Sequence, residues 1–182
     1  EHFRAHDYDL AGFCTGIVEK NDIVDGSNIR TGDVVIGIES SGLHSNGYTL
    51  VNDMLWRNYI YYKEMPELLV PTTIYSPLVQ DLLDVVPILG MSHITGGGIP
   101  ENLPRCLPKG MTVDVDYNSW ERPELFNKIQ KAGDITEEEM RNVFNLGIGF
   151  CLVVPPDVVA LAQEIISDVP HGMRSWAIGE VV

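Results

Sequence analysis

Two short glycine-bearing segments hold the polar side chains best suited to chemistry. They are Ser40-Ser41-Gly42-Leu43-His44-Ser45-Asn46-Gly47 and His93-Ile94-Thr95-Gly96-Gly97-Gly98. A histidine can exchange a proton near neutral pH, and glycine allows close approach of the backbone to a ligand. Backbone N–H groups at a helix start favour an anion. The segments are therefore candidate small-molecule sites, with His44 and His93 as candidate proton carriers.

Each segment also has a purely structural interpretation. The first is equally typical of a tight turn that caps a helix and exposes a histidine. The second could be a flexible turn before the helix that contains Glu101 and Asn102, although three consecutive glycines carry an entropic cost that favours a phosphate or ribose cradle. A third segment, 144–149, has two glycines at the start of an apolar strand, which favours a bulge or close packing. Neither a G-x-G-x-x-G loop followed by a helix nor a Walker lysine motif occurs.

Metal or redox chemistry has weaker support. Two acidic pairs, Asp7/Asp9 and Asp114/Asp116, could each hold Mg²⁺ if they faced one pocket, but the second pair is better explained as the solvent face of a strand. No metal site is therefore assigned. The three cysteines are Cys14, Cys106 and Cys151. They are widely separated and never form a C-x-x-C pair, so we interpret them as buried structural thiols.

Composition limits the class of protein and its partners. The 182 residues are 45% hydrophobic, which predicts one globular domain over 1–182. No apolar run resembles a membrane span or a signal peptide, so the expected location is the cytoplasm. The formal net charge of −14 disfavours nucleic acid and anionic membranes. An anion site would be built from glycine rather than lysine. The start at Glu1, without methionine, suggests a piece of a longer protein.

Hydrophobic periodicity and turn residues predict an alternation of strands and helices. Strands are predicted over 9–20, 33–39, 88–94, 111–116, 148–154 and 176–182. Helices are predicted over 46–56, 74–86, 123–132, 136–144 and 157–167. Asn46 is a plausible N-cap, and Thr136 to Glu139 forms a capping box. The order lacks strict βαβ alternation, so the expected class is α+β, with a mixed sheet covered by helices in three α/β/α layers.

Four stretches, taken in order, resemble the aminoimidazole ribonucleotide synthetase family, also called phosphoribosylformylglycinamidine cyclo-ligase. They are Tyr8-Asp9-Leu10-Ala11-Gly12-Phe13, Gly32-Asp33-Val34-Val35 through Ser40 to Tyr48, His93 to Gly98 with Glu101-Asn102, and Phe144-Asn145-Leu146-Gly147-Ile148-Gly149. Together they span nearly the whole chain. The resemblance is to the C-terminal domain of the family, which implies the fold of that domain and the absence of the ATP-binding N-terminal half.

The resemblance implies an ATP-dependent ring closure in purine biosynthesis. Formylglycinamidine ribonucleotide would be converted to aminoimidazole ribonucleotide, with release of ADP and phosphate. ATP and Mg²⁺ would be bound mostly by the missing half, which would also form a homodimer. This chain would supply the substrate-facing wall of the cleft. The implied contributors are the catalytic candidates His44 and His93 and the substrate-binding candidates Ser45, Asn46, Gly47, Thr95, Gly96, Gly97 and Gly98.

Alternatives remain within and outside this family. The chain is also similar in outline to related ATP-using enzymes: formylglycinamidine ribonucleotide amidotransferase, selenophosphate synthetase and thiamine-phosphate kinase. A non-catalytic binding module with the same fold is the alternative from another class. Two positions depart from the cyclo-ligase pattern, since Thr73 stands where arginine is usual and Asn52 where a basic residue is frequent.

Overall fold

Five strands form one antiparallel sheet in the computed structural model, which describes residues 11–169 and 172–182. They are β1 (Val34–Glu39), β2 (Gly90–His93), β3 (Val113–Val115), β4 (Ile148–Val154) and β5 (Ser175–Val181). The spatial order is β2-β4-β1-β5-β3, and each neighbouring pair is antiparallel. The predicted α+β class is confirmed. The sheet is antiparallel rather than mixed, because apolar patterns along a strand carry no information about its direction.

Helices cover both faces of the sheet and form the outer layers. They are α1 (Tyr48–Trp56), α2 (Ser76–Leu83), α3 (Gly98–Asn102), α4 (Glu124–Gly133), α5 (Glu137–Val143) and α6 (Val159–Asp168). On one face α2 and α6 share a core with β1 and β4, and on the other α3 packs on the same strands. A third cluster joins α1, α4 and α5. The predicted three layers are therefore confirmed. Among the described residues, no helix has the length and apolar character needed to cross a membrane.

Strand β1 shows how the sequence pattern becomes a two-sided core. Val35 packs on the α3 face, whereas Ile36 and Ile38 pack on the α2 and α6 face. All three side chains are fully buried, since successive residues of a strand point to opposite faces. A continuous run of β-branched residues suits a strand with helices on both sides.

Helix starts confirm one predicted cap and correct another. The Thr136 hydroxyl accepts the backbone N–H of Glu139 at 3.2 Å, as the capping box predicts. Helix α1 begins at Tyr48 rather than at the predicted residue 46, with Gly47 at its N-cap in a left-handed conformation (φ 76°). The N-cap prediction for Asn46 is wrong, because its side chain bonds to a different loop.

The predicted strand over 9–20 is wrong where the structure describes it. Residues 11–19 have no regular secondary structure, and their side chains are exposed, with Phe13 at 95% exposure. An extended segment needs hydrogen-bond partners from a neighbouring strand, and no described strand pairs with this one. Residues 9 and 10, the pair Asp7/Asp9 and the start of the first motif lie outside the described residues.

One cysteine is not buried as predicted, whereas the second acidic pair lies where the sequence predicted it. Cys151 is buried and Cys106 is partly buried, but Cys14 is exposed, so its assignment as a buried thiol is wrong. Cys14 lies on the segment that lacks a packing partner. Asp114 on β3 and Asp116 directly after it are exposed, which confirms that they occupy the solvent face of an edge strand.

Candidate functional site

The two predicted glycine-bearing loops meet in space. The backbone N–H of Gly96 donates to Oδ1 of Asn46 at 2.8 Å. Strands β1 and β2 are each antiparallel to β4, so they run in the same direction and end at the same edge of the sheet. The loop after β1 carries His44 to Gly47, and the loop after β2 carries Thr95 to Gly98. Sheet topology therefore assembles residues that are about 50 positions apart in sequence.

Asn145 joins the third glycine-bearing segment to this edge. Its Oδ1 accepts the Ser40 hydroxyl at 3.0 Å and the Gly147 N–H at 2.9 Å, while its Nδ2 donates to the Gly42 carbonyl at 2.8 Å. The side chain is only 1% exposed, so these hydrogen bonds replace those to water and fix the loops to one another. Asn145 belongs to the fourth family motif but was not a predicted site residue. Its signal was an amide within an otherwise apolar run.

Asn102 sets the shape of the loop that follows β2. Its Nδ2 donates to the carbonyls of Gly98 at 2.8 Å, Gly96 at 3.1 Å and Thr95 at 3.3 Å. Its Oδ1 accepts the Thr95 hydroxyl at 3.0 Å. One buried amide thus binds both sides of the turn, and the flexible-turn interpretation of the glycine run is wrong. Asn102 was likewise not a predicted site residue.

The three consecutive glycines have different physical reasons. Gly97 (φ +93°) is the N-cap of α3, and a Cβ there would lie 2.6 Å from Glu101 Cβ. Gly98 (φ +58°) packs against α5, where a Cβ would be 1.9 Å from the carbonyl oxygen of Arg141. Gly96 has ordinary space, with Asn46 Oδ1 nearest at 3.6 Å. Gly97 and Gly98 are therefore required by the fold, whether or not a ligand binds.

The N–H groups of this loop are partly engaged within the protein. Gly96 donates to Asn46, and Gly98 donates to the Thr95 carbonyl at 3.0 Å. Gly47 is also structurally constrained, because a Cβ there would lie 2.2 Å from the Phe144 ring. A ligand anion at Gly96 would have to displace the Asn46 side chain. The loop is thus a preformed backbone structure rather than an open cradle of N–H groups.

His44 is a buried residue in a strained conformation. It is 3% exposed and has a φ of 56°, so the surface-histidine interpretation of this loop is wrong. Its Nε2 accepts the backbone N–H of Ser41 at 3.2 Å, which places the proton of the neutral ring on Nδ1. Nδ1 is buried and has no hydrogen-bond partner among the described residues. Burial, and then the nearby His93, lower the pKa of His44 to about 4.

His93 and Tyr75 complete a three-ring cluster with His44. The ring centroids of His44 lie 6.0 Å from Tyr75 and 6.2 Å from His93, and those of Tyr75 and His93 lie 6.0 Å apart. His93 is exposed, and partial burial of its ring lowers its pKa. Both histidines are therefore neutral at pH 7, so they can exchange hydrogen bonds but cannot hold an anion by charge. Tyr75 was not a predicted site residue.

Gly149, the last residue of the third segment, is a glycine for two structural reasons. Phe150 pairs with Ile38, whereas Ile148 pairs with Glu39, so Gly149 is the extra residue of a β-bulge. A Cβ on Gly149 would also collide with side chains of the ring cluster. Both predicted explanations, a β-bulge and close packing, are therefore confirmed at Gly149.

Two open clefts flank the joined loops. One, of about 490 Å³, is lined by Gly47, Gly96 and Gly97 but also by the carboxylates of Asp53 and Glu139. The other, of about 420 Å³, is mainly apolar, and His93 and Tyr75 are among its lining residues. Ser45 is exposed beside the loops, with its hydroxyl 3.4 Å from that of Thr72. Within residues 11–169 and 172–182, no group of three or more His, Cys, Asp or Glu is arranged to hold a metal ion.

Known enzymes of similar sequence share this domain. A phosphoribosylformylglycinamidine cyclo-ligase of Prochlorococcus marinus (strain MIT 9211) is 50% identical over 184 residues, covering 96% of this chain and 53% of that protein. One of Synechococcus sp. (strain CC9902) is 49% identical over 187 residues with the same coverage. The chain thus spans about half the length of these curated relatives.

Solved structures support the same fold at low identity. E. coli HypE, a hydrogenase maturation protein, matches 86% of this chain and 45% of its own, with a TM-score of 0.58 and 17% identity. T. maritima PurL complexed with AMPPCP matches 91% of this chain and 24% of its own, with a TM-score of 0.55 and 15% identity. The family model "AIR synthase related protein, C-terminal domain" matches residues 30–182. The chain therefore belongs to the family of AIR synthase related proteins and carries their C-terminal domain.

Proposed function

We propose that this chain is the substrate-facing C-terminal domain of an ATP-dependent cyclo-ligase that converts formylglycinamidine ribonucleotide to aminoimidazole ribonucleotide, ADP and phosphate. The observation that carries the proposal is the 2.8 Å bond from Gly96 N–H to Asn46 Oδ1. It joins the two loops of the family motif at one sheet edge, in a chain whose relatives at 49–50% identity are named as this cyclo-ligase.

The proposed task of the domain is to position the substrate. In the reaction a nitrogen of the substrate attacks the carbon of the formyl-derived group, whose oxygen leaves as phosphate after activation by ATP. Rigid loops favour such a ring closure because they hold the reacting atoms together. We assign substrate contacts to Ser45, Asn46 and Gly47 and to the loop 95–98. Exposed His93 is the better candidate for proton transfer, since His44 is enclosed.

Charge supports an orientation for the substrate. The cleft beside Gly96 is lined by Glu139 and by Asp53, whose carboxylate is paired with Arg57 at 2.8 Å. The Glu139 carboxylate would attract a cationic amidine and repel a phosphate group. We therefore propose that the amidine part of the substrate faces this cleft. The chain covers 53% of a cyclo-ligase relative, and we assign ATP, Mg²⁺ and the contacts of an expected homodimer mainly to the part of such an enzyme that this chain does not cover.

The direct test is turnover by the full-length protein that contains this chain. With formylglycinamidine ribonucleotide and ATP, we expect equal amounts of aminoimidazole ribonucleotide and ADP, and no turnover by the 182-residue chain alone. Turnover with formylglycinamide ribonucleotide and glutamine, with selenide or with thiamine phosphate instead would favour a related enzyme. Absence of every activity and of any thermal shift with these ligands would favour a binding module.

The site assignment has its own test in Asn46→Ala. We expect this variant to raise the KM for formylglycinamidine ribonucleotide, because it releases the loop at Gly96, while the melting temperature falls only slightly. Asn127→Ala is the matched control, since it removes an exposed amide whose Nδ2 donates to Glu124 at 3.2 Å. Unchanged kinetics in Asn46→Ala would remove the two joined loops from the substrate site.

A further inference from the structure

Gly149 is the point where two rings of the cluster meet the sheet. A Cβ on this residue would lie 2.1 Å from Tyr75 Oη and 2.4 Å from His44 Cε1. The φ of Gly149 lies outside the left-handed region, so the backbone conformation does not require glycine here. Space for the two side chains is the reason for the residue type.

Tyr75 is held firmly against this point. Its hydroxyl donates to the backbone carbonyl of Glu39 at 2.6 Å, and the side chain is 5% exposed. Its ring also packs against Phe150, with centroids 5.3 Å apart. The hydroxyl therefore ties the start of α2 to the end of β1, and the ring forms a fixed wall beside His44.

His44 needs such a wall because only one of its nitrogens is bonded. Nε2 accepts the Ser41 N–H, whereas Nδ1 is buried without a partner among the described residues. A buried donor without an acceptor is unfavourable, and a free ring would rotate to find one. The Tyr75 ring, with its centroid 6.0 Å from that of His44, and the Gly149 backbone border the His44 ring on two sides and restrict that movement.

We propose that Tyr75 is a positioning residue that keeps the His44 ring where Nε2 accepts the Ser41 N–H and the proton therefore stays on Nδ1, and that Gly149 must be glycine to make room for this arrangement. The catalytic consequence rests on the proposed function: His44 would stay neutral and enclosed beneath the joined loops and would not act as a base. Tyr75 acts through His44 and does not itself contact the reacting atoms.

The surroundings of the pair agree with this role. The titratable groups that influence His44 and Tyr75 are His93, Glu39 and Cys151. Cys151 is buried, which raises the pKa of its thiol, and His93 is neutral at pH 7. Glu39 influences Tyr75 rather than His44, and its carboxylate is paired with Arg174 at 2.8 Å.

The test is nuclear magnetic resonance of the histidine rings in the ¹⁵N-labelled 182-residue chain, with His44 assigned by loss of its signals in His44→Gln. Ring nitrogen shifts report tautomer and protonation without any substrate. We expect wild-type His44 to show the Nδ1–H tautomer. Tyr75→Phe, which keeps the ring but loses the bond to Glu39, should mix the tautomers and raise the His44 pKa by about one pH unit.

Two further variants make the result specific. Gly149→Ala should change the His44 signals in the same direction, because its methyl group displaces one or both rings. Tyr48→Phe is the matched control, since it also removes a tyrosine hydroxyl bonded to a backbone carbonyl, that of Leu68, and should leave His44 unchanged. Unaltered His44 tautomer and pKa in both Tyr75→Phe and Gly149→Ala would overturn the proposal.

Activity data separate this proposal from the proposed function. In the full-length enzyme, Tyr75→Phe should lower kcat several-fold with little change in KM, and shift the pH profile. A full-length protein with no cyclo-ligase activity would refute the proposed function, whereas the ring signals would still decide whether Tyr75 positions His44.

Discussion

Acidification should destabilise this protein through His44. The ordinary pKa of 6.5 applies to His44 in the unfolded chain, and burial lowers its pKa to about 4 in the folded chain. As the pH falls, the unfolded chain therefore binds the proton first. The stability contributed by a neutral His44 is complete above pH 6.5 and is lost as the pH falls towards 4. The full pKa difference corresponds to about 3.4 kcal/mol below pH 4, and about 2 kcal/mol is already lost at pH 5.

Equilibrium urea unfolding at several pH values between 8 and 5 measures this loss. His44→Gln removes the titrating group but keeps an acceptor for the Ser41 N–H, so its free energy of unfolding should vary less across this range by about 2 kcal/mol. His93→Gln is the control, because His93 is exposed and should account for a smaller part of the loss. Glu137 does not interfere, since hydrogen bonds from Arg122 lower its pKa to about 2 and its contribution is lost only below its ordinary 4.5.

Equal pH dependence in the wild type and in His44→Gln would refute the reasoning. It would mean that His44 binds a proton equally well in the folded and unfolded chains. The His44 ring would then not be buried in solution with a hydrogen bond to Nε2 alone, and Tyr75 would have no role in positioning it.

Two further outcomes follow from glycine packing and helix capping, and urea unfolding at neutral pH measures both. Gly98→Ala should lower the free energy of unfolding by more than about 2 kcal/mol, because Gly98 has a positive φ and a Cβ there would collide with the Arg141 carbonyl. Gly96→Ala should change the free energy of unfolding by no more than about 0.5 kcal/mol. Equal effects of the two substitutions would refute the packing argument. Thr136→Ala should cost about 1 kcal/mol by removing the N-cap of α5, and a neutral result would show that Glu139 N–H finds another acceptor.

The secondary structure was most predictable where local chemistry and burial agree. Strand β4 has the predicted bounds of 148–154, because helices cover both of its faces and nearly every residue is apolar. Helix α5 follows its predicted capping box closely. The strand over 9–20 failed in its described part, since an apolar extended segment forms a strand only when another strand supplies hydrogen bonds.

The site was predictable as two loops but not as an arrangement. Residue types identified His44, His93 and the glycine run, and the order of the motifs indicated the family. The roles of Asn102 and Asn145 depend on carbonyls and hydroxyls that tertiary structure brings within reach, so composition could not reveal them. Asn46 illustrates the same limit, since its sequence position suggests an N-cap whereas its partner is 50 residues away.

By itself, the sequence determined the family, the α+β class and the identity of the loops, because these depend on residue types and spacings along the chain. Only the tertiary structure decided that His44 is enclosed, that the glycines at 97 and 98 are required by helix packing and that Tyr75 borders the site. Burial and steric contact arise between segments that are distant in sequence. They depend on strand order and direction, which local patterns do not encode.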